Sequence, residues 1–197
     1  INQCLSPLFI SFLIASILIH ASFAPFVGFF TQYLSLKGYA GAEIGMLFSV
    51  GALAEIVLFF YAGAILRCYQ VKTLFLFCFL VTSFRWYIQG QYIENPTIAI
   101  MSQCLHAFSF GLMHSVSVHF ISRYFPLAQQ ARGQFMFLGA AFGVGTAIGA
   151  FVTGILWQGG HGSELTFNIA AILCLLAAVI IALVPQKQFQ LGMSQLR

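Results

Sequence analysis

The chain has 197 residues, of which 60 % are AVILMFWYC and only 6 % are charged, with a mean hydropathy of +0.95. Soluble chains carry roughly 25 % charged residues because their surfaces must stay hydrated, and eight bases with four acids cannot cover a surface of this size. These figures exclude a soluble enzyme, a nucleic-acid binder and a disordered tail, and predict an all-α integral membrane protein.

The chain begins at Ile1, with no Met and no basic stretch before the first apolar run. That argues against a signal peptide and suggests a piece of a longer polypeptide. Crossing the hydrocarbon core takes roughly 20 apolar residues as a helix, and six stretches qualify, at about 8–34, 43–66, 71–90, 96–122, 134–157 and 165–184. Between them run the connections Lys37–Ala42, Arg67–Gln70, Gln91–Asn95, Arg123–Gly133 and Gln158–Glu164, with a tail after Pro185. Continuous apolar runs such as Leu74–Leu80 and Ala170–Val184 lack the period-two alternation of a membrane barrel.

The first stretch carries His20, the second Glu55, the third Arg85 and the fourth His106, His114 and His119. The fifth concentrates small residues, with Gly139/Gly143 and Gly145/Gly149 each four apart, a spacing that lets helix backbones approach closely in lipid. The five cysteines, Cys4, Cys68, Cys78, Cys104 and Cys174, are odd in number and scattered through apolar sequence, so they read as small hydrophobes rather than a disulfide framework. Arg67, Lys72, Arg123, Arg132, Lys187 and Arg197 fall on the side of both termini, against Lys37 on the other. The positive-inside rule therefore predicts cytoplasmic termini.

A charge at mid-bilayer costs roughly 2.5–3.5 kcal/mol on insertion scales. At 1.5 Å per residue Glu55 lies about 18 Å from the outer end of its stretch, Arg85 about 21 Å from the inner end of its own, and His106 about 15 Å below the outer end. His20 lies about 18 Å along the first stretch. Four ionisable groups from four helices thus share a depth, where a common hydrated cavity would let them satisfy one another. The competing reading is a structural Glu55–Arg85 ion pair that fixes helix packing. His106 and His114 lie about 80° apart round the helix and can share a broad face, whereas His119 points about 140° from His114 and reads as structural. No His pair has the one-turn spacing of a chelating pair, so no metal and no cofactor is expected.

Three segments together carry a family resemblance: GYAGAEIGMLFSVGALAEIVLFF, the FRW at Phe84–Trp86 and the LHAFSFGLMH at Leu105–His114. With the IHA around His20 and the GHG at Gly160–Gly162, they resemble the C-terminal half of the major facilitator superfamily, closest to the phenylpropionate permease type, a relative of the lactose permease group. The resemblance implies six helices in a 3+3 inverted repeat, forming one half of a twelve-helix fold, with the N-terminal six-helix half as the missing partner. It also implies that Glu55, Arg85 and His106 serve proton coupling, and that His20, Arg85, His106 and His114 line the cavity. Those relatives carry a carboxylate three residues after the His matching His106. Here that position is Ser109, which shifts proton uptake to Glu55 or a histidine.

The function so implied is proton-coupled import of a small aromatic carboxylate such as 3-phenylpropionate, in a bacterial inner membrane. Its partners are that solute, protons and the lipid bilayer, with no nucleic acid. Efflux of hydrophobic compounds, sugar or nucleoside symport, a membrane-embedded His-dependent enzyme and a non-transporting assembly subunit are the alternatives.

Overall fold

Residues 2–194 are described in the computed structural model, and among them six helices are long and apolar enough to cross a membrane. They are Pro7–Leu36, Gly41–Cys68, Val71–Tyr92, Pro96–Tyr124, Leu127–Gly160 and Ser163–Leu183, hereafter the first to sixth spans. The first, second and fourth start where the sequence supplies a start signal. Ser6 accepts from the Phe9 N–H at 3.2 Å ahead of Pro7, Glu43 reaches back to the Ala40 N–H at 2.8 Å, and Asn95 accepts from the Thr97 N–H ahead of Pro96.

Three spans are irregular in their interior. The first breaks at Phe23, between helical stretches Pro7–Ser22 and Ala24–Leu36. Pro25 accounts for it, since its ring removes an N–H and crowds the carbonyl four residues back. The fourth contains a π-helical stretch, Ala107–Leu112, and the fifth another, Gly139–Gly145. Such stretches hold an extra residue in a turn and occur often at functional sites.

The packing has an internal symmetry. The first span lies against the fifth and sixth, the fourth against the second and third, and the third and sixth lie against each other. Exchanging first for fourth, second for fifth and third for sixth maps this pattern onto itself, as a 3+3 repeat requires. The second and fifth spans also match in exposure: 22 % of the most apolar stretch of each is buried, against 44 % to 56 % in the other four.

Close approach is made by particular glycines. A Cβ on Gly149 would collide with the Ala21 carbonyl oxygen, and one on Gly145 would stand 2.7 Å from the Ile17 oxygen. That pair therefore seats the fifth span on the first. Gly139 and Gly143 have the same spacing but meet nothing within 4 Å, so their face is open.

Two expectations about the termini of elements change. The fifth span begins at Leu127 instead of about residue 134: Gln130 bonds back to the Ser122 oxygen at 2.8 Å and Gly133 packs under Phe125, so the polar stretch is a helical turn rather than a loop. After Pro185 the chain forms a further helix, Gln186–Ser194, with Phe189 buried near Phe120. Lys72 donates to the Ala182 and Val184 oxygens at 2.8 and 2.6 Å, closing the end of the sixth span. The Tyr124 hydroxyl bonds Ser6 and the Gln3 oxygen, which holds the N-terminal segment at the same end of the bundle. Arg197 lies outside the described residues.

Candidate functional site

The irregular parts of the first, fourth and fifth spans meet at mid-depth, and the polar groups gather there. His20, on the turn before the Phe23 break, is buried. Its Nδ1–H donates to the Ser16 oxygen at 2.9 Å, since a carbonyl can only accept, and Nε2 has no protein partner. Its ring faces Phe142 at 4.4 Å between centroids and Phe137 at 6.0 Å.

Straight α-helical winding would leave His106 and His114 about 80° apart, and the extra residue of the π stretch winds this back by roughly 100°. The rings accordingly align. His106 and Phe110 lie parallel within 4° at 5.6 Å, and Phe110 and His114 within 13° at 6.3 Å. His114 also faces Phe137 and Phe142, the rings that His20 meets. Three histidines from two spans thus border one aromatic wall.

Glu55 stands at the His106 end of this ladder, its Oε2 3.8 Å from His106 Nε2. Paired glycines make room. A Cβ on Gly111 would stand 3.0 Å from Glu55 Cγ, and one on Gly51 would stand 3.2 Å from Gln103 Oε1. The second and fourth spans therefore meet as two successive bays, Gly51 facing Gln103 and Gly111 facing Glu55.

Arg85 departs from expectation. It forms no ion pair with Glu55, whose near neighbour is His106. The guanidinium is fully buried; Nε donates to the Ser102 oxygen at 2.8 Å and Nη1 to Ser109 Oγ at 3.1 Å, while Nη2 lacks a protein partner. Its carbon lies 4.4 Å from the Phe26 ring centroid and 4.5 Å from that of Trp86, a doubly stacked cation. Phe26 in turn lies 5.4 Å from the His106 ring. Glu55, His106 and Arg85 are therefore neighbours through Phe26 and the fourth span, with the cation held by hydroxyl, carbonyl and π faces. Ser109, standing where the lactose-permease relatives have a carboxylate, accepts from Arg85 and donates to the His106 oxygen at 3.2 Å.

Sequence reasoning missed two glutamines. Gln89, one turn after Arg85, donates to Ser102 Oγ at 3.1 Å and leaves Oε1 unpaired. Gln103 is 1 % exposed, and neither atom of its amide has a partner. Their spacing from Arg85 and His106 was the available signal: one turn along the same helix face. His119 keeps away from this cluster, near Arg123 at the span's end. Among the described residues no three His, Cys, Asp or Glu side chains gather closely enough to hold a metal. A separate apolar crevice of about 220 Å³ lies between the first, fifth and sixth spans, lined by Ala21, Pro25, Gly149 and Ile169 among others.

The MFS_1 like family matches residues 1–169. The chain belongs to this family. It is 27 % identical over 152 residues to the "Probable 3-phenylpropionic acid transporter" of Escherichia coli (strain K12), an alignment covering 77 % of this chain. The chain spans only 40 % of that relative's length. No solved structure matches.

Proposed function

We propose that the six spans form the C-terminal half of a proton-coupled permease that imports a small aromatic carboxylate, 3-phenylpropionate being the reference compound. The observation that carries this reading is Arg85: a buried guanidinium with one free N–H edge and no carboxylate to neutralise it. Burying such a charge is costly unless a counter-charge arrives, and a carboxylate solute supplies one with the fork geometry that arginine prefers. The Phe26, Phe110 and Phe142 faces give an adjoining apolar surface for a ring, and the similarity to the Escherichia coli relative supports the same substrate class.

Proton coupling falls to Glu55 with His106. A carboxylate beside an imidazole stays ionised while the imidazole is charged, and takes up a proton when that support goes. His20 and His114 border the solute's side of the cavity. The open faces of the second and fifth spans, with Phe60 and Phe135 projecting from them, receive the N-terminal six-helix half. The charge pattern orients both termini toward the cytoplasm of a bacterial inner membrane, with Arg67, Arg123 and Arg132 on that side.

The test is uptake of labelled 3-phenylpropionate by cells or proteoliposomes carrying the full permease. The expected result is accumulation with alkalinisation of the medium. Binding of a neutral sugar alone would overturn the substrate class, and solute extrusion in inverted-vesicle counterflow would favour efflux of hydrophobic compounds. Glu55→Gln should abolish accumulation while preserving exchange; unchanged accumulation in that variant removes Glu55 from the proton pathway.

A further inference from the structure

Gln103 presents a carboxamide that is almost completely buried, with both its Nε2 and its Oε1 unpaired. Buried amides are normally satisfied, because an unpaired donor or acceptor forfeits the hydrogen bonds that water supplied. Gly51 puts no side chain between the second span and this amide: a Cβ there would come within 3.2 Å of Oε1 and 3.8 Å of His106 Cβ. Glu55 follows Gly51 by four residues and so lies on the same helix face, one turn on. Helical side chains lean over the turn N-terminal to their own Cα, which for Glu55 is the Gly51 turn.

A carboxamide offers one donor and one acceptor side by side. A carboxylate offers acceptors only and cannot match it, whereas a protonated carboxyl, with one O–H and one C=O, matches it with two hydrogen bonds. We infer that Gln103 is a positioning residue that receives Glu55 in its protonated form. Ionised, Glu55 rests in the Gly111 bay against His106; protonated, it turns into the Gly51 bay and pairs with the Gln103 amide. The proton stays on the carboxyl, and the Glu55–His106 contact opens as the new pair forms. His106 is then released with its own unpaired Nδ1. Of the charged and titratable groups on the packed elements, His106 on the fourth span borders this bay and Glu55 on the second contacts His106, while Arg85 on the third stands behind Phe26 and His114 on the fourth and His20 on the first lie further along the aromatic wall. None of the other four can reproduce the match, since none is a carboxyl. This inference rests on Glu55 being the proton site.

The experiment is the pH profile of 3-phenylpropionate uptake by the full permease bearing Gln103→Met, which retains length and removes both hydrogen bonds. Without its amide partner the protonated form of Glu55 loses support, so more acid is needed to populate it. The pH of half-maximal uptake should move to lower pH by about 1.5 units, the worth of two net hydrogen bonds. A profile that coincides with the wild-type one would overturn the inference. Should the variant fail to insert, infrared difference spectra of the unmodified permease decide the matter. The carbonyl band that Glu55→Gln removes should have the lowered frequency of a doubly hydrogen-bonded acid, and a free-acid frequency would overturn the pairing. If instead Glu55→Gln accumulates solute normally, it is the underlying reading of Glu55 that fails, separately from the role of Gln103.

Discussion

Two cations in this chain show opposite solutions to the same electrostatic problem. At one end of the bundle, outside the spans, Lys37 donates to Glu94 Oε1 at 2.7 Å, with 33 % and 70 % of the two side chains exposed. Lys37 holds the Glu94 carboxyl below its usual range. At mid-span Arg85 has no acid, and takes a carbonyl, a hydroxyl and two aromatic faces instead. Water makes the first pair dispensable, since either charge is solvated when the other leaves. Nothing solvates the second, so neutral partners alone hold its charge and leave Nη2 unpaired.

The largest break in this contrast comes from Arg85→Lys. An ammonium is a point donor that cannot serve Ser102, Ser109 and a solute in the fixed fork of a guanidinium. The initial rate of 3-phenylpropionate uptake should fall by about 100-fold, near 3 kcal/mol, as when a buried ionic partner is lost; retention of most of the rate would reduce Arg85 to a mere positive charge. Ser109→Ala comes next. It removes one charge-assisted hydrogen bond, worth roughly 1.5 kcal/mol, and should raise the half-saturating solute concentration about tenfold with little change in maximal rate. The smallest effect belongs to the surface pair. Lys37→Met or Glu94→Gln should leave uptake unaltered and shift the melting temperature within measurement error. Because the Glu94 carboxyl is held low when folded, whatever stability the pair adds is present at neutral pH and is lost as pH falls through that lowered value. A large loss of transport in either variant would erase the distinction between the two ends of the comparison.

The six spans were legible because apolar length is a direct record of bilayer thickness, and the ionisable residues were legible because lipid makes them conspicuous. Partnership was not. Glu55 and Arg85 look matched by sign and depth, but depth is one coordinate only. The direction in which a side chain leaves its helix decides contact, and the π stretch at Ala107–Leu112 alters that direction for everything on one side of it. Regular winding was the assumption that hid the aligned His106–Phe110–His114 stack. The glycine spacing was similarly half-informative: Gly145/Gly149 and Gly139/Gly143 are indistinguishable in sequence, and only neighbouring backbone separates the packed pair from the open one. Polar composition made Leu127–Gly133 look like a loop, although Gln130 can return its amide to the preceding turn. Gln103 offered only its spacing of one turn from His106, which gains meaning once its amide is seen to lack any partner.

The surplus residue within Ala107–Leu112 makes the fourth span tolerant of one particular change of length. Deleting one residue there would return the stretch to α winding: His106 and His114 would then be seven residues apart, roughly 20° short of two full turns, which is the facing the π stretch already gives them. Hydropathy and charge would be almost untouched. The same deletion in a regular part of the span would swing its two halves apart by about 100°, so the π stretch acts as a spare letter whose loss leaves the message readable.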